Sequence, residues 1–307
     1  MRSIGKHWLV IAGVLSALMA SEAALRVFQA EIPESSTWPT VETEVKSRQI
    51  NEMSTDVDVL FLGSSVTEAA VDPALLIDRA ESYSVYNAAL PFSTPLSDEV
   101  WLDEVILPRM TPSVVIYGIA AWPPHSTIGN DLLRAGIEAV ARKDESRLAE
   151  SIALIDNKGL LADWDERRTR QNLIVTGPWT DEGHMRGYYD MARTSIAGAY
   201  SSFGTATMSS DNLSALRTKV GELTDSGIKV ALMIEPGRFP GEVRDSDLEA
   251  YVASVMAIGE KLGVPVWDTY HVEWDEGYFV DEAHFNRRGT VAFTHYIGPF
   301  IEELVSG

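Results

Sequence analysis

Short apolar runs recur along the chain, and stretches with a helical pattern of apolar and polar positions separate them. This alternation is typical of a parallel sheet, because parallel strands need crossover helices. The runs at 113–119 and 228–234 are apolar at most positions, as expected of strands covered by helices on both faces. The sequence therefore predicts an α/β fold, a three-layer α/β/α sandwich with a parallel five-stranded sheet. The predicted strands are Val57–Leu62, Tyr83–Ala88, Ser113–Ile119, Ile228–Ile234 and Val264–Trp267.

Two segments interrupt this pattern. Between about residues 123 and 210 the alternation stops, which predicts a helical insertion after the third strand. It follows the carboxyl end of a strand, where binding loops of open α/β sheets gather, so it could form a lid or a partner surface. Residues 31–56 are polar, contain Pro33 and Pro39 and have no sustained period, which predicts a linker. The folded domain is therefore expected at 57–307.

The N-terminal segment, residues 1–30, has the pattern of a targeting sequence. Arg2 and Lys6 precede an apolar run from Trp8 to Ala20, which is typical of a segment that drives export or membrane insertion. The run is shorter than the roughly 20 residues of a full span, but apolar residues continue to Phe28. Two interpretations remain: a signal peptide cleaved near Ser21, or an uncleaved anchor. Both predict a body outside the cytoplasm.

Charge and cysteine content exclude several classes of function. The formal net charge is −20 at pH 7, and an acidic surface repels phosphate backbones, so no nucleic-acid partner is predicted. The chain has no cysteine, which rules out disulfides, a thiolate nucleophile and cysteine metal ligands. No dinucleotide or Walker motif follows a predicted strand, so no cofactor is predicted. His184, His271 and His295 lack metal-ligand spacing, so no metal site is predicted. His125 follows the third predicted strand and could line a pocket, with an ordinary loop residue as the alternative interpretation.

The first candidate for chemistry is Gly63-Ser64-Ser65, directly after the first predicted strand. A tight turn there would expose a side chain beyond the sheet edge. A helix beginning at this turn would stabilise developing negative charge, and the serine N–H could point at an oxyanion. A structural N-cap is the alternative interpretation.

The second candidate is the pair Asp281 and His284, just before the amphipathic segment that ends the chain. If the turn between them directs both side chains to one place, Asp281 can fix the imidazole tautomer while His284 takes a proton from a serine. A surface histidine is the alternative interpretation.

Together these two segments resemble the SGNH/GDSL hydrolase superfamily in residue type and in order. Gly63-Ser64-Ser65 stands where the family has Gly-Asp-Ser, and Asp281-Glu282-Ala283-His284 matches its last block. The resemblance covers about Val57 to Leu304 outside the insertion. It implies a catalytic triad of Ser65, Asp281 and His284 and an ester-cleaving activity without a cofactor.

The sequence departs from the family at both usual sources of oxyanion donors. After the second strand, Asn87-Ala88-Ala89 puts Ala89 at the glycine position, where its N–H could still donate, and Asn87 could organise the turn. After the third strand, Gly118-Ile119-Ala120-Ala121-Trp122 contains no asparagine. The oxyanion and pocket candidates are Ala89, Asn87, Gly118 and Trp122.

Ser64 in place of aspartate, the N-terminal segment and the missing asparagine make the chain similar to divergent members, among them DltD-like and alginate O-acetylation proteins. This resemblance implies a membrane-tethered, extracytoplasmic esterase or O-acyltransferase. Its substrate would be an acylated surface glycan or a small ester, and a membrane-bound acyltransferase would be a further partner. The alternative is a non-catalytic protein of the same fold that binds or helps assemble an acylated polymer.

Overall fold

The computed structural model of the chain describes residues 38–53, 56–79, 83–120, 133–134, 136–138, 141, 180, 182–184, 208–237, 245–281 and 283–307. The predicted anchor, most of the predicted insertion, Ala121, Trp122 and His125 lie outside these ranges. Within them, no helix has the length and apolar character needed to cross a bilayer.

Five parallel strands form one sheet, which confirms the predicted fold class and all five predicted strands. Their order across the sheet is β2-β1-β3-β4-β5. The second strand is added on one side of β1 and the later strands on the other side, so the switch point lies between β1 and β3. Ligand sites of such sheets lie at the carboxyl ends of strands beside this switch point. The strands are β1 (Val59–Leu62), β2 (Val85–Asn87), β3 (Val114–Ile119), β4 (Lys229–Ile234) and β5 (Val266–Asp268).

Helices cover both faces of this sheet. On one face α7 packs against α2 and α3, and on the other face α4 packs against α5, which contacts α6. The helices are α1 (Trp38–Glu52), α2 (Ser65–Ala70), α3 (Pro73–Arg79), α4 (Pro95–Trp101, continued by a π-helical turn to Ile106), α5 (Ser210–Asp225), α6 (Asp245–Leu262) and α7 (Arg287–Ser306).

Two separate cores result from the period-2 alternation of the strands. In β1, Val59 and Phe61 pack into the core beneath α7, while Leu60 and Leu62 pack into the core beneath α4, α5 and α6. All four side chains are fully buried. The central strands are therefore apolar on both faces, as expected of strands covered by helices on both sides.

Helix α1 differs from the expectation that residues 31–56 form a linker. It packs beside the π-helical turn after α4, and Val45 and Ile50 are buried. Its sequence is mainly polar, so it has little of the periodic apolar stripe by which a packed helix is identified. Tertiary contacts, many of them polar, hold this helix against the domain.

The central contact of α1 is a buried charge cluster of Lys46, Glu42 and Glu68. The Lys46 ammonium lies 3.0 Å from a Glu42 carboxylate oxygen and 3.3 Å from one of Glu68, and all three side chains are 0% exposed. The ammonium also donates a hydrogen bond to the carbonyl oxygen of Ala89, just beyond β2. Burial, reinforced by the nearby charge of Glu68, raises the pKa of Glu42 well above its usual value. With Glu42 protonated, one ammonium faces one carboxylate and the cluster is neutral.

Candidate active site

The turn from β1 into α2 places Ser65 at the first position of a helix. Gly63 has φ +137°, a backbone conformation that side-chain-bearing residues rarely adopt. Ser64 is the N-cap, and its hydroxyl oxygen accepts the Val66 N–H at 3.1 Å. The Glu68 N–H donates to the Ser64 carbonyl oxygen at 3.1 Å. The expected strand, turn and helix are all present.

The backbone N–H of Ser65 differs from the other hydrogen-bond donors of this turn. Four N–H groups at a helix start have no intrahelical acceptor and must find another partner. The N–H of Ser65 donates to no acceptor among the described residues, although its neighbours in the turn do. A developing oxyanion beside the Ser65 hydroxyl could therefore receive this hydrogen bond.

The loop before α7 brings Asp281 and His284 together through backbone contacts. One Asp281 carboxylate oxygen accepts the N–H groups of Ala283 at 2.8 Å and His284 at 2.7 Å. The Val280 N–H donates to the His284 carbonyl oxygen at 3.0 Å, which closes the turn. The loop is thus fixed locally, as the spacing of the two residues suggests.

A continuous hydrogen-bonded chain joins the three predicted triad residues. Ser65 Oγ lies 2.8 Å from His284 Nε2, and His284 Nδ1 lies 2.8 Å from Asp281 Oδ2 and 3.0 Å from Oδ1. Burial alone would raise the pKa of Asp281, but hydrogen bonds from His284 and Ala283 hold that pKa below its usual value. An ionised Asp281 accepts a hydrogen bond from Nδ1–H, so Nε2 is the nitrogen that accepts the Ser65 hydroxyl proton.

Asn87, predicted to organise the turn after β2, supports the end of α2. Its side-chain amide N–H group lies within hydrogen-bond distance of three carbonyl oxygens, those of Thr67 at 3.3 Å, Glu68 at 3.4 Å and Val71 at 3.0 Å. Its side-chain oxygen accepts the Ala89 N–H at 3.2 Å. The Ala89 N–H, a predicted oxyanion donor, is therefore engaged in the structure.

Gly118, another candidate, lies within β3 and packs beneath the nucleophile turn. A Cβ atom there would be 1.9 Å from Thr67 Oγ1 and 3.1 Å from the Leu62 carbonyl oxygen. The glycine is required for this close approach, and it offers no side-chain donor. The remaining candidate of this block, Trp122, lies outside the described residues.

Glu235, directly after β4, contacts the same turn although no motif in the sequence indicated it. Its carboxylate is fully buried and accepts hydrogen bonds from Ser64 and Thr67. Burial raises the pKa of Glu235, and these hydrogen bonds oppose the rise. The one available signal was its place at the carboxyl end of a central parallel strand, where functional side chains gather.

A small open pocket lies beside Ser64, between the end of β3 and the helices of one layer. Its lining includes Asp98, Gly118, Asn212 and Tyr251. Polar side chains from three helices therefore converge close to the candidate nucleophile, on the side of the turn that carries Ser64.

Asp98 gives this cavity a titratable group. It accepts hydrogen bonds from the hydroxyls of Ser93 and, at 2.8 Å, Tyr117. Burial raises the pKa of Asp98 to about 7, against the lowering effect of these two hydrogen bonds. The folded state therefore binds a proton that the unfolded chain releases near pH 4, so this contribution to stability is lost as the pH rises to about 7.

We expect Asp98→Asn to remove that pH dependence. As the pH rises from 4 to 8, the free energy of unfolding of the wild type should fall by up to about 4 kcal/mol relative to that of the variant. This is the equivalent of some three pKa units. Urea unfolding at several pH values measures the difference. Parallel stability curves for the two proteins would contradict the raised pKa.

The other histidines that the structure describes, His184, His271 and His295, take no part in the candidate site. His184 is buried with Nδ1 3.2 Å from the Glu68 carbonyl oxygen, and His271 pairs with Asp268 and Glu249 at the surface. His295 is exposed on α7. Over the described ranges, no group of three or more metal-binding side chains is arranged to hold a metal ion.

No family model and no curated protein matches the chain. Solved structures of similar fold include a putative acylhydrolase from Bacteroides fragilis (14% identity, 89% of this chain and 100% of that chain covered, TM-score 0.49). They also include a GDSL-like lipase from Bacteroides thetaiotaomicron (13%, 87% and 98%, 0.46). A third is a catalytic mutant of an acetylxylan esterase from Geobacillus stearothermophilus (13%, 83% and 97%, 0.41). These similarities are too distant to carry a substrate over to this chain.

Proposed function

We propose that the chain is a serine esterase or O-acyltransferase in which Ser65 is the nucleophile, His284 the general base and Asp281 its orienting carboxylate. The observation that carries the proposal is the chain of two hydrogen bonds, each 2.8 Å long at its shortest, from Ser65 Oγ through His284 to Asp281. A serine hydroxyl needs an adjacent base to become nucleophilic, and the base needs a third group to hold its tautomer.

The proposed reaction has two halves. Ser65 Oγ attacks the ester carbonyl carbon while its proton moves to His284 Nε2, and the oxyanion receives the Ser65 N–H. The C–O bond to the leaving alcohol then breaks, and His284 returns the proton to that oxygen. Water or a sugar hydroxyl next attacks the acyl carbon while its proton moves to His284 Nε2. The bond between the acyl carbon and Ser65 Oγ then breaks, and His284 returns the proton to Ser65 Oγ.

The small number of available oxyanion donors predicts slow reaction of the acyl-enzyme with water. Losing one donor typically costs about 100- to 1000-fold in turnover. Here the Ala89 N–H is engaged with Asn87, and the block Gly118 to Trp122 contains no asparagine. Slow attack by water is tolerable if an acceptor hydroxyl is bound beside the acyl-enzyme, because binding raises its effective concentration. We therefore place an acylated glycan first among substrates and a small ester second.

The location of this activity is part of the proposal. The basic start and apolar run of residues 1–30 support an N-terminal membrane anchor with the body outside the cytoplasm, or secretion if the segment is cleaved. A protein at that place meets surface polymers, and a membrane-bound acyltransferase is a partner of suitable chemistry. Ordinary solubility also accounts for the acidic body, so the charge adds no support.

A second candidate function is a non-catalytic protein that binds an acylated surface polymer in the same cleft. The engaged Ala89 N–H favours it, because a binding protein needs no oxyanion donors. The hydrogen-bonded triad favours the enzyme, because recognition alone does not require a base aligned on a serine.

A fluorophosphonate probe tests the proposal. Only an activated serine should displace fluoride from phosphorus, so we expect covalent labelling of the wild-type protein at Ser65, identified by mass spectrometry of the labelled peptide. A folded protein that stays unlabelled would favour the binding function.

The ratio of the two products separates hydrolysis from transfer. With an activated acyl donor, adding a polysaccharide acceptor should divert product from free acid to acylated glycan. An unchanged ratio across a broad acceptor panel would indicate a plain esterase.

A further inference from the structure

Glu235 binds the nucleophile turn more extensively than any other side chain the structure describes. One of its carboxylate oxygens accepts the N–H groups of Ser64 at 3.0 Å and Thr67 at 3.2 Å and the Thr67 hydroxyl at 2.5 Å. The other accepts the Ser64 hydroxyl at 2.8 Å. Four donors on both sides of Ser65 thus converge on one carboxylate that comes from a different strand.

These bonds determine which N–H remains for a substrate. The helix start offers its N–H groups to any nearby anion. Glu235 accepts those of Ser64 and Thr67, and the Ser64 hydroxyl accepts that of Val66. A side chain that takes the neighbouring donors and leaves the Ser65 N–H defines both the direction of that N–H and the direction of the adjacent hydroxyl. Both must be aligned on one carbonyl group during attack.

The strands are shaped to admit this contact. A Cβ atom on Gly63 would lie 2.6 Å from Thr67 Oγ1 and 2.9 Å from Glu235 Oε1, and one on Gly118 would lie 3.0 Å from Glu235 Oε1. Real Cβ atoms essentially never approach other atoms below 3.0 Å. The two glycines therefore make room for the Thr67–Glu235 pair between β1 and β3.

Stability alone is a poor reason for a carboxylate at this place. Glu235 is fully buried, and no lysine, arginine or histidine pairs with it among the described residues. The titratable groups around it, Asp98 and Tyr251, offer no positive charge. Burying an unpaired charge is costly even when it is hydrogen-bonded, and a neutral side chain would cost less.

We propose that Glu235 is a positioning residue for the reaction of Ser65: it holds the Ser64–Thr67 turn so that the Ser65 hydroxyl faces His284 and the Ser65 N–H faces the oxyanion. The inference rests on the proposed function, because it concerns the efficiency of the same serine. Its effect should appear in the chemical step and not in substrate binding.

The test is Glu235→Gln in the full-length protein. The amide keeps the shape but replaces one accepting oxygen with a donor, so the turn loses an acceptor. We expect kcat for an aryl ester to fall about 10- to 100-fold, as for a small misplacement of a reacting group, with KM within about threefold. The rate of fluorophosphonate labelling should fall by a similar factor, while the urea midpoint stays equal or rises.

Thr67 supplies a rescue pair and Thr294 a matched control. Thr67→Val removes the hydroxyl bound to Glu235 and should lower kcat about tenfold, whereas Thr67→Ser keeps the hydroxyl and should stay within about threefold of the wild type. Thr294→Val removes a buried hydroxyl that donates to the Ala70 carbonyl oxygen at the other end of α2. A general loosening of α2 would make this variant as slow as Thr67→Val, and we expect it to keep its kcat.

The outcomes are separable. If the wild-type protein neither cleaves esters nor reacts with the probe, the proposed function fails. If the wild type is active and Glu235→Gln keeps its kcat, or raises KM alone, the positioning role is overturned. Should Glu235→Gln fail to fold, the Thr67 pair decides: equal kcat for valine and serine overturns the role, and a loss restored by serine supports it.

Discussion

Ser65→Ala is expected to reduce ester turnover by about 10⁴-fold or more, and His284→Ala by a similar factor. Removal of either group leaves only binding and the oxyanion donor, because the hydroxyl and its base act as one unit. Ser65 Oγ and His284 Nε2 are 2.8 Å apart, so neither group has an evident substitute within the described residues. Initial rates on an aryl ester, with fluorophosphonate labelling alongside, measure both losses.

The double variant makes this prediction sharper. Because the two residues act together, Ser65→Ala/His284→Ala should be no slower than either single variant. His295→Ala, which alters an exposed histidine on α7, is the matched control and should keep wild-type turnover. Additive losses, or a folded Ser65→Ala protein with near-normal turnover, would show that another group is the nucleophile.

Lys46→Met is expected to lower the free energy of unfolding by about 3–5 kcal/mol, the usual cost of removing one partner from a buried ion pair. The substitution keeps most of the apolar stem but leaves Glu42 and Glu68 without their ammonium, and both are fully buried. It also removes the hydrogen bond to Ala89. Urea unfolding at pH 7 measures the loss.

Lys219 provides the matched control for Lys46. Its ammonium lies 2.8 Å from Asp103 and 2.6 Å from Glu222, but these partners are 47% and 58% exposed. Lys219→Met should therefore cost about 1 kcal/mol or less.

A compensating variant identifies the source of the Lys46 loss. Lys46→Met/Glu68→Gln removes the uncompensated charge and should recover part of the stability. A Lys46→Met protein as stable as the Lys219 variant would contradict a buried charge cluster.

Those parts of the fold and site that depend on short segments could be predicted from the sequence. Each central strand is a run of adjacent apolar residues, so periodicity identifies it without knowledge of its neighbours. The Asp281 and His284 pair belongs to one turn, in which the N–H groups of Ala283 and His284 donate to the Asp281 carboxylate. Their proximity therefore depends on no distant segment. The contact between His284 and Ser65 does depend on the sheet, because its parallel strands place the loop of each residue at the same edge.

Contacts between distant polar residues could not be predicted in this way. Glu235 is 171 positions from Ser64, and a single glutamate after a strand is more often a solvated side chain. Glu42 and Lys46 have the same spacing as a surface ion pair on a helix. The sequence of α1 therefore does not show that this pair is buried, and it predicts a polar linker instead. Burial turns these ordinary residues into the supports of the site, and burial is a property of the assembled fold.

Helix α1 changes how far the candidate active site can stand from a membrane. If residues 31–56 were an extended tether behind an anchor that ends near residue 30, they could span up to about 90 Å. Because α1 begins at Trp38 and packs on the domain through buried residues such as Val45 and Lys46, only residues 31–37 remain as a tether, and they reach about 25 Å at most. An anchored protein would therefore keep its catalytic cleft within a short, nearly constant height of the bilayer. Such a reach suits an acyl group delivered at the membrane surface and excludes polymer strands farther out.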